Sequence, residues 1–161
     1  MKIKILYHDK NMPKLQHIGG RERSNWIDVR ACSININGKD VNWDENNQIK
    51  YKTGDFLIID LGFSLEMPDD CEGYLLPRSS TFKNFGFILV NSMGVVDSSY
   101  KGKDDHWKFQ AYALRDGVIN KYDRIGQFRI VKSMEAIDFE EKTEEEWLHE
   151  NRNGIGSSGT K

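Results

Sequence analysis

An all-β fold is predicted for this chain of 161 residues. Three observations lead to that prediction. Short apolar-rich segments recur along the chain, one of them alternates strictly between apolar and polar residues, and turn-forming residues separate them at intervals typical of a sandwich or barrel. The pattern is that of strands rather than helices.

Seven segments are predicted to form these strands. In chain order they read KIKILY, VRACSININ, DFLIIDLGFSLEM, GYLLP, FGFILV, HWKFQAYAL and RIGQFRIV. In HWKFQAYAL, a period of two places Trp107, Phe109, Ala111 and Ala113 on one face, which we expect to be buried. Turns are predicted where Gly, Asp, Asn and Pro cluster, at NGKD, KTGD, MPDD and RDGV.

Length and composition restrict the functional classes. The chain has the length of one domain, which is commonly about 100 to 200 residues. Its net charge of −2 argues against a nucleic-acid polymer as partner. It contains no apolar run of about 18 residues, as a membrane span requires, and its start has no secretory pattern, so we expect a cytoplasmic protein. Cys32 and Cys71 are predicted to be buried thiols.

The last thirty residues differ in composition from the rest. We predict a β-domain over residues 1–131 and an acidic linker with a C-terminal arm over residues 132–161. Within DFEEKTEEEWLHE, Thr143 and Glu146 have the spacing of a capping box for one short helix. The final NRNGIGSSGTK is predicted to be either a frayed tail or an arm that orders on a ligand.

Four polar clusters could support chemistry in this β background. PRSST sets Arg78 beside three hydroxyls, which suits phosphate oxygens, although an ordinary surface loop is an equal alternative. RNGIGSSGT repeats an arginine with glycines and hydroxyls near the C-terminus. DRIGQF is explained more simply by a charged turn that enters the sheet. The fourth cluster, NSMGVVDSSYKG, is predicted to form a β-hairpin and contains Asn91, which could read a base edge, and Asp97, which could take a proton from water.

WIDVRA adds a further acid, Asp28, in a stretch that is otherwise typical of a strand. A salt bridge to Arg30 or to another base would be its ordinary explanation. Taken in order, however, WIDVRA, PRSST, NSMGVVDSSYKG, YDRIGQF and RNGIGSSGT resemble the five motifs of the trimeric dUTPases. The likeness is greatest to enzymes of Gram-positive bacteria and of their phages or prophages.

The resemblance implies a jelly-roll-like β-barrel or sandwich that forms a homotrimer with a flexible C-terminal arm. The active sites would lie at subunit interfaces and would hydrolyse dUTP to dUMP and pyrophosphate with Mg²⁺. It implies that Asp97 activates the water, with help from Gln127 and Asp28. Mg²⁺ would bind through the triphosphate and water, with Asp28 and Asp123 in an outer position. The implied substrate-binding residues are Arg78, Ser79, Ser80, Asn91, Tyr100, Arg152, Gly154, Ile155, Gly156, Ser157 and Ser158.

The arm departs from the family pattern at one informative position. Ile155 stands where members of the family usually carry an aromatic residue that stacks on the uracil. We hypothesise that the insertion KDDHWKF compensates for this change, with His106 or Trp107 near the site.

Two alternatives remain. A dCTP deaminase shares the fold and an RSS motif but needs a glutamate in the strand after the third motif, where this chain has HWKFQAYAL. The second alternative is a regulatory homologue that binds a partner protein, a role that could coexist with catalysis.

Overall fold

The computed structural model describes residues 1–17, 19–20 and 22–151 of the chain. These residues form thirteen strands, one short α-helix and one 3-10 helix over Glu144–Glu146. The elements are β1 (Lys4–Tyr7), β2 (Ile27–Arg30), β3 (Ser33–Ile36), β4 (Lys39–Val41), β5 (Gln48–Tyr51), β6 (Phe56–Asp60), β7 (Phe63–Glu66), β8 (Cys71–Pro77), α1 (Thr81–Phe85), β9 (Phe87–Leu89), β10 (Gly94–Asp97), β11 (Lys108–Ala113), β12 (Gly117–Asn120) and β13 (Arg124–Lys132).

Two antiparallel sheets provide the framework. One has the strand order β10-β8-β13-β2, and the other has the order β4-β3-β6-β11-β9. Two smaller pairs, β1 with β7 and β5 with β12, complete the described strands. Buried side chains from both large sheets meet in one hydrophobic core, so the predicted all-β class is confirmed.

Aromatic rings fill the middle of this core. Trp107 lies with its ring centroid 5.7 Å from that of Phe63 and 5.2 Å from that of Phe128. Gly73 on β8 leaves room for the indole, because a Cβ atom at that position would overlap the Trp107 ring. The buried face predicted for HWKFQAYAL is confirmed, since Trp107, Phe109, Ala111 and Ala113 are all buried.

The strand boundaries predicted from sequence needed three corrections. VRACSININ is interrupted after Arg30, and DFLIIDLGFSLEM is divided at Gly62, whose φ of +76° lets the chain turn between β6 and β7. FGFILV begins with the last residue of α1, and only Phe87–Leu89 is a strand. The short elements β4, β5, β12 and α1 were not predicted.

After β13 the described chain runs along the surface. Every residue from Lys132 to Asn151 is exposed, and these residues include the apolar side chains of Phe139, Trp147 and Leu148. The predicted capping box is confirmed, because Thr143 and Glu146 cap the 3-10 helix reciprocally. Both cysteines are buried, as predicted. Among the described residues, no helix has the length and apolar character needed to cross a membrane.

Candidate active site

The PRSST turn begins where β8 ends at Pro77 and is held in place by a buried threonine. The hydroxyl of Thr81 accepts a hydrogen bond from the Arg78 backbone N–H (2.8 Å) and donates to the carbonyl of Ile125 (2.9 Å). Thr81 is only 1% exposed, so both bonds lie away from solvent. They tie the turn to β13 and leave the side chains of Arg78 and Ser79 on the outer side. Ser80 occupies the N-cap position of α1.

The guanidinium of Arg78 is oriented by an acid from another strand. Its Nε lies 3.0 Å from Oδ2 of Asp28 on β2, and Nη1 of Arg124 lies 3.2 Å from the same oxygen. The Asp28 side chain is 10% exposed and that of Arg78 is 22% exposed, which reduces screening by water. The bases that pair with Asp28 are therefore Arg78 and Arg124, whereas Arg30 donates to the carbonyl of Tyr122.

Two residues of the DRIGQF segment have different surroundings. Gln127 on β13 lies opposite Asp28, and its Nε2 donates to the carbonyl of Pro77 at 3.0 Å. The Asp123 carboxylate instead accepts hydrogen bonds from the backbone and side-chain amides of Asn120, at 2.9 and 3.0 Å. The structure thus brings Gln127 next to the arginine turn and places Asp123 in the turn between β12 and β13, where it contacts Asn120 instead of Arg78.

The NSMGVVDSSYKG stretch was interpreted from sequence as a β-hairpin, and that interpretation is wrong. Its strand β10 pairs with β8 in the four-stranded sheet, whereas the preceding β9 pairs with β11 in the other sheet. The residues between them carry the chain from one sheet to the other, and Ser92 has a positive φ of 58° there. Asn91 therefore lies on a connection between sheets and Asp97 ends an edge strand.

Asn91, Asp97 and Tyr100 nevertheless line one pocket, with a volume of about 270 Å³. The pocket also contains His106 and Trp107, so the structure places the predicted insertion beside these three residues. Trp107 belongs to the core and is only 1% exposed, which leaves His106 as the accessible member of that pair. Burial is the main cause that raises the pKa of Tyr100, and the charges of Asp105 and Asp60 add to it.

Asp97, at one side of the pocket, and the arginine turn lie at different ends of the same sheet. Asp97 is opposite Glu72 on β8, while Arg78 follows Pro77, the last residue of that strand. Six residues along a strand, at about 3.3 Å each, separate these positions by about 20 Å. One chain therefore does not bring the carboxylate of Asp97 to the guanidinium of Arg78.

Several residues that shape the site carry no sequence signal of their own. Arg124 lies in the segment that is explained by a charged turn, and neither Asp60 nor His8 lies in any of the predicted polar clusters. Asp60 contacts His106 across 46 positions of the chain. Pairings over such distances depend on strand order, and no local pattern reveals them. Among the described residues, no group of three or more His, Cys, Asp or Glu side chains is arranged to hold a metal ion.

Comparison with known proteins identifies the family of the chain. The dUTPase family model matches residues 37–159. The chain is 43% identical over 161 residues to the SPbeta prophage-derived deoxyuridine 5'-triphosphate nucleotidohydrolase YosS of Bacillus subtilis (strain 168), with 100% of each chain covered.

The chain belongs to the dUTPase family.

Solved structures of other dUTPases share its fold. The enzyme of Staphylococcus bacteriophage 80alpha with dUPNHPP superposes with a TM-score of 0.67 at 18% identity, covering 98% of each chain. A variant of the dUTPase from phage phi11 of S. aureus, described with a structural Mg(II) ion, gives a TM-score of 0.68 at 11% identity. That match covers 90% of this chain and 99% of the phage protein. The resemblance drawn from the five motifs is thereby confirmed, including its association with phages and prophages.

Part of the dUTPase-family pattern lies outside the described residues. Arg152, Gly154, Ile155, Gly156, Ser157 and Ser158 are in that part of the chain, and their predicted contacts with substrate remain predictions. The structure describes the first four motifs completely and the linker up to Asn151.

Proposed function

We propose that this dUTPase-family chain hydrolyses dUTP to dUMP and pyrophosphate, using Mg²⁺ and a water molecule activated by Asp97. The observation that carries the proposal is the shared pocket of Asn91, Asp97 and Tyr100. An amide, a carboxylate and an aromatic ring around one pocket suit a base edge, a reacting water and a sugar. In the cell this reaction would act in the cytoplasm, limit uracil incorporation into DNA and supply dUMP for dTMP synthesis.

The pocket residues divide the recognition of the nucleoside among them. The Asn91 side chain offers both a donor and an acceptor, which matches the paired donor and acceptor on the edge of uracil. The ring of Tyr100 would pack on the deoxyribose and exclude a 2′-hydroxyl, so that dUTP is preferred over UTP. Asp97 is exposed at the end of β10, where its carboxylate can accept a proton from the attacking water.

The arginine turn would bind the phosphates. Arg78 supplies a planar fork of N–H donors, and Asp28 holds that fork in one orientation through the 3.0 Å contact. Ser79 and Ser80 would add hydroxyl donors near the α–β bridge, where negative charge grows as pyrophosphate leaves. Gln127, fixed by Pro77, would help to hold the water or the α-phosphate.

The separation of Asp97 from Arg78 supports a site that is built from more than one subunit. Asp97 and Arg78 would act on the same triphosphate, and a separation of about 20 Å along the sheet of one chain is too large for both side chains to reach neighbouring phosphate oxygens. We therefore propose a homotrimer in which Asp97 of one subunit meets Arg78 of another. The exposed linker up to Asn151 would carry Arg152, Gly154, Ile155, Gly156, Ser157 and Ser158 to close over the nucleotide.

The donor set fits a metal that arrives with the substrate. The described residues contain no cluster of carboxylates, histidines and cysteines for a cage, and Mg²⁺ commonly binds through phosphate oxygens and water. When bound, Mg²⁺ would neutralise charge on the triphosphate. Asp28 and Asp123 remain the proposed outer residues, although Asp28 Oδ2 already contacts two arginines and Asp123 contacts Asn120.

A regulatory role is the second candidate. The phage 80alpha relative is described as a phage dUTPase that controls transfer of virulence genes by a G protein-like mechanism. A regulatory protein partner is therefore proposed for this chain as well. The test compares the wild type with an Asp97→Asn variant that has no turnover. If the variant kept any regulatory effect that the wild type has in cells, binding of the protein partner alone would account for that effect. Loss of the effect together with turnover would point to hydrolysis.

A product assay separates dUTP hydrolysis from dCTP deamination. The strand that follows the third motif, β11, reads KFQAYA and contains no glutamate, which disfavours a deaminase. The purified protein should release pyrophosphate from dUTP and no ammonia from dCTP. Ammonia release from dCTP without pyrophosphate release from dUTP would reverse the assignment.

A further inference from the structure

His106 connects the nucleotide pocket to the rigid part of the fold. Its Nδ1 lies 2.7 Å from Oδ2 of Asp60, and its imidazole stacks on that of His8 with centroids 3.6 Å apart and planes 12° apart. Its backbone carbonyl accepts a hydrogen bond from the hydroxyl of Tyr100 at 3.1 Å. One residue thus contacts both the pocket tyrosine and two side chains of the framework.

The partners of His106 are themselves fixed. Asp60 ends β6, and its Oδ1 accepts the backbone N–H of Gly62 at 2.6 Å. His8 Nε2 lies 2.8 Å from the hydroxyl of Ser64, a buried residue whose hydroxyl also donates to the carbonyl of Lys103. The segment 101–107 is therefore attached to the framework through these side chains, and the backbone N–H of Trp107 adds a hydrogen bond to the carbonyl of Phe63 at 3.0 Å.

The electrostatics agree with a fixed arrangement. Burial lowers the pKa of His8, and the neighbouring His106 lowers it further against the opposing charges of Asp60 and Asp104. A neutral His8 can stack on His106 without repulsion. The raised pKa of Tyr100 keeps its phenol protonated, so that it remains a donor to the His106 carbonyl.

We propose that His106 is a positioning residue that sets the orientation of the Tyr100 ring, and through it the preference for deoxyribose over ribose, with Asp60 holding His106. The inference rests on the proposed function, because it assigns the sugar to Tyr100. The carbonyl of His106 can anchor the phenol only if the segment carrying it is fixed. The backbone N–H of Trp107 holds the end of this segment through its hydrogen bond to the carbonyl of Phe63 (3.0 Å), and the contact between the imidazole and Asp60 adds a side-chain anchor at His106 itself. His106 itself need not touch the nucleotide.

Two substitutions at His106 distinguish the contribution of the contact with Asp60 from that of the stacking on His8. His106→Ala removes both the bond to Asp60 and the stacking on His8. His106→Asn keeps an N–H near the position of Nδ1 and loses only the stacking. We expect His106→Ala to lower the ratio of kcat/KM for dUTP over UTP by about fivefold to tenfold, mainly through KM for dUTP, as loss of one supporting hydrogen bond suggests. For His106→Asn, we expect the logarithm of this ratio to lie at least halfway from the value for His106→Ala back to the value for the wild type.

A double-mutant cycle tests whether the effect passes through Tyr100. Tyr100→Phe removes the hydroxyl that binds the His106 carbonyl, so adding His106→Ala to it should change the ratio by less than about twofold. Lys103→Ala is the matched control, because its side chain in the same segment is 82% exposed. Its ratio should equal that of the wild type. Thermal unfolding of each variant checks that it is folded.

The outcomes distinguish this inference from the proposed function. If the wild type hydrolyses dUTP and His106→Ala and His106→Asn, both folded, keep the wild-type sugar preference, the inference is overturned and the function stands. The inference is also overturned if His106→Ala has its full effect in the Tyr100→Phe background. If the wild type does not hydrolyse dUTP, the function fails and the inference fails with it.

Discussion

Arg78 and Asp97 lie at opposite ends of strand β8, about 20 Å apart along the sheet. The first follows Pro77, and the second pairs through β10 with Glu72. One chain therefore does not bring these two side chains together. If both residues act on one nucleotide, they must come from different subunits, and mixing subunits of two variants tests this.

Mixing two inactive variants should restore activity. Arg78→Ala and Asp97→Asn are each expected to lose nearly all hydrolysis of dUTP. Mixed trimers contain sites that combine the intact Asp97 of one variant with the intact Arg78 of the other. After joint refolding or coexpression, we expect dUTP hydrolysis at about a tenth or more of the wild-type level, measured as pyrophosphate release.

The control for mixing is the double variant Arg78→Ala/Asp97→Asn. Combined with Asp97→Asn alone, it offers no intact carboxylate and should remain inactive. A mixture of the two single variants that also remains inactive, although native mass spectrometry shows mixed trimers, would contradict a site shared between subunits.

Asp28→Ala should destabilise the fold as well as weaken nucleotide binding. It leaves two guanidinium groups without their common acceptor, and the Asp28 side chain is only 10% exposed. We expect the free energy of unfolding to fall by about 2 kcal/mol. Urea denaturation monitored by tryptophan fluorescence measures it, and KM for dUTP should rise as Arg78 loses its orientation.

The exposed pair of Lys4 and Glu66 serves as the comparison. Its N···O distance is 2.8 Å, but its side chains are 77% and 51% exposed, so Glu66→Ala should change the free energy of unfolding by less than about 0.5 kcal/mol. If Asp28→Ala and Glu66→Ala lowered the free energy of unfolding equally, burial would not make the Asp28 ion pairs more stabilising than an exposed pair.

Gly73→Ala should destabilise the core. A methyl group at this position would overlap the indole of Trp107, a residue that is almost fully buried. We expect a loss of about 2 kcal/mol in the free energy of unfolding, measured by urea denaturation. In a Trp107→Phe background, where the smaller ring leaves space, the same substitution should cost less than half as much. An equal cost in both backgrounds would show that the indole is not the obstacle.

Cys32 should be unreactive towards thiol reagents in the folded protein. Burial raises the pKa of its thiol to about 12. Because the thiolate is the reactive form, a pKa raised this far leaves about one thiolate in ten thousand at pH 8. Burial also raises the pKa of Cys71. Titration with Ellman's reagent should detect neither thiol in the native protein and both in guanidinium chloride. Rapid native labelling of either would contradict the described packing.

Much of the fold could be predicted because the strand pattern is local. The alternation in HWKFQAYAL fixed the buried face of β11, since a period of two places every second side chain on the same side. Strands of three or four residues, such as β4 and β12, were not predicted, because a period of two cannot be recognised in so few residues. The pairing of β10 with β8 instead of β9 was also not predicted, because it depends on how the two sheets stack.

The candidate site was predicted through its motifs rather than through its contacts. The roles proposed for Arg78, Asn91, Asp97 and Tyr100 follow from the short motifs in which these residues lie. That Asp28 holds Arg78, and that Asp60 holds His106, depends on residues 50 and 46 positions apart being brought together by strand order. An outer position for Asp123 around the metal was expected from the family resemblance, and its carboxylate contacts Asn120.

The rate of pyrophosphate release from dUTP by the wild type and by Asp97→Asn, both with Mg²⁺, tests the central claim most directly. The wild type should release pyrophosphate from dUTP in preference to dTTP, dCTP and UTP, and removal of Mg²⁺ by a chelator should lower the rate. Asp97→Asn keeps the shape of the pocket but loses the proton acceptor. It should bind dUTP with a similar dissociation constant and lose at least about a hundredfold in rate, as general base catalysis contributes about 10² to 10⁴. A wild type without turnover of dUTP, or an Asp97→Asn variant with an undiminished rate, would contradict the claim.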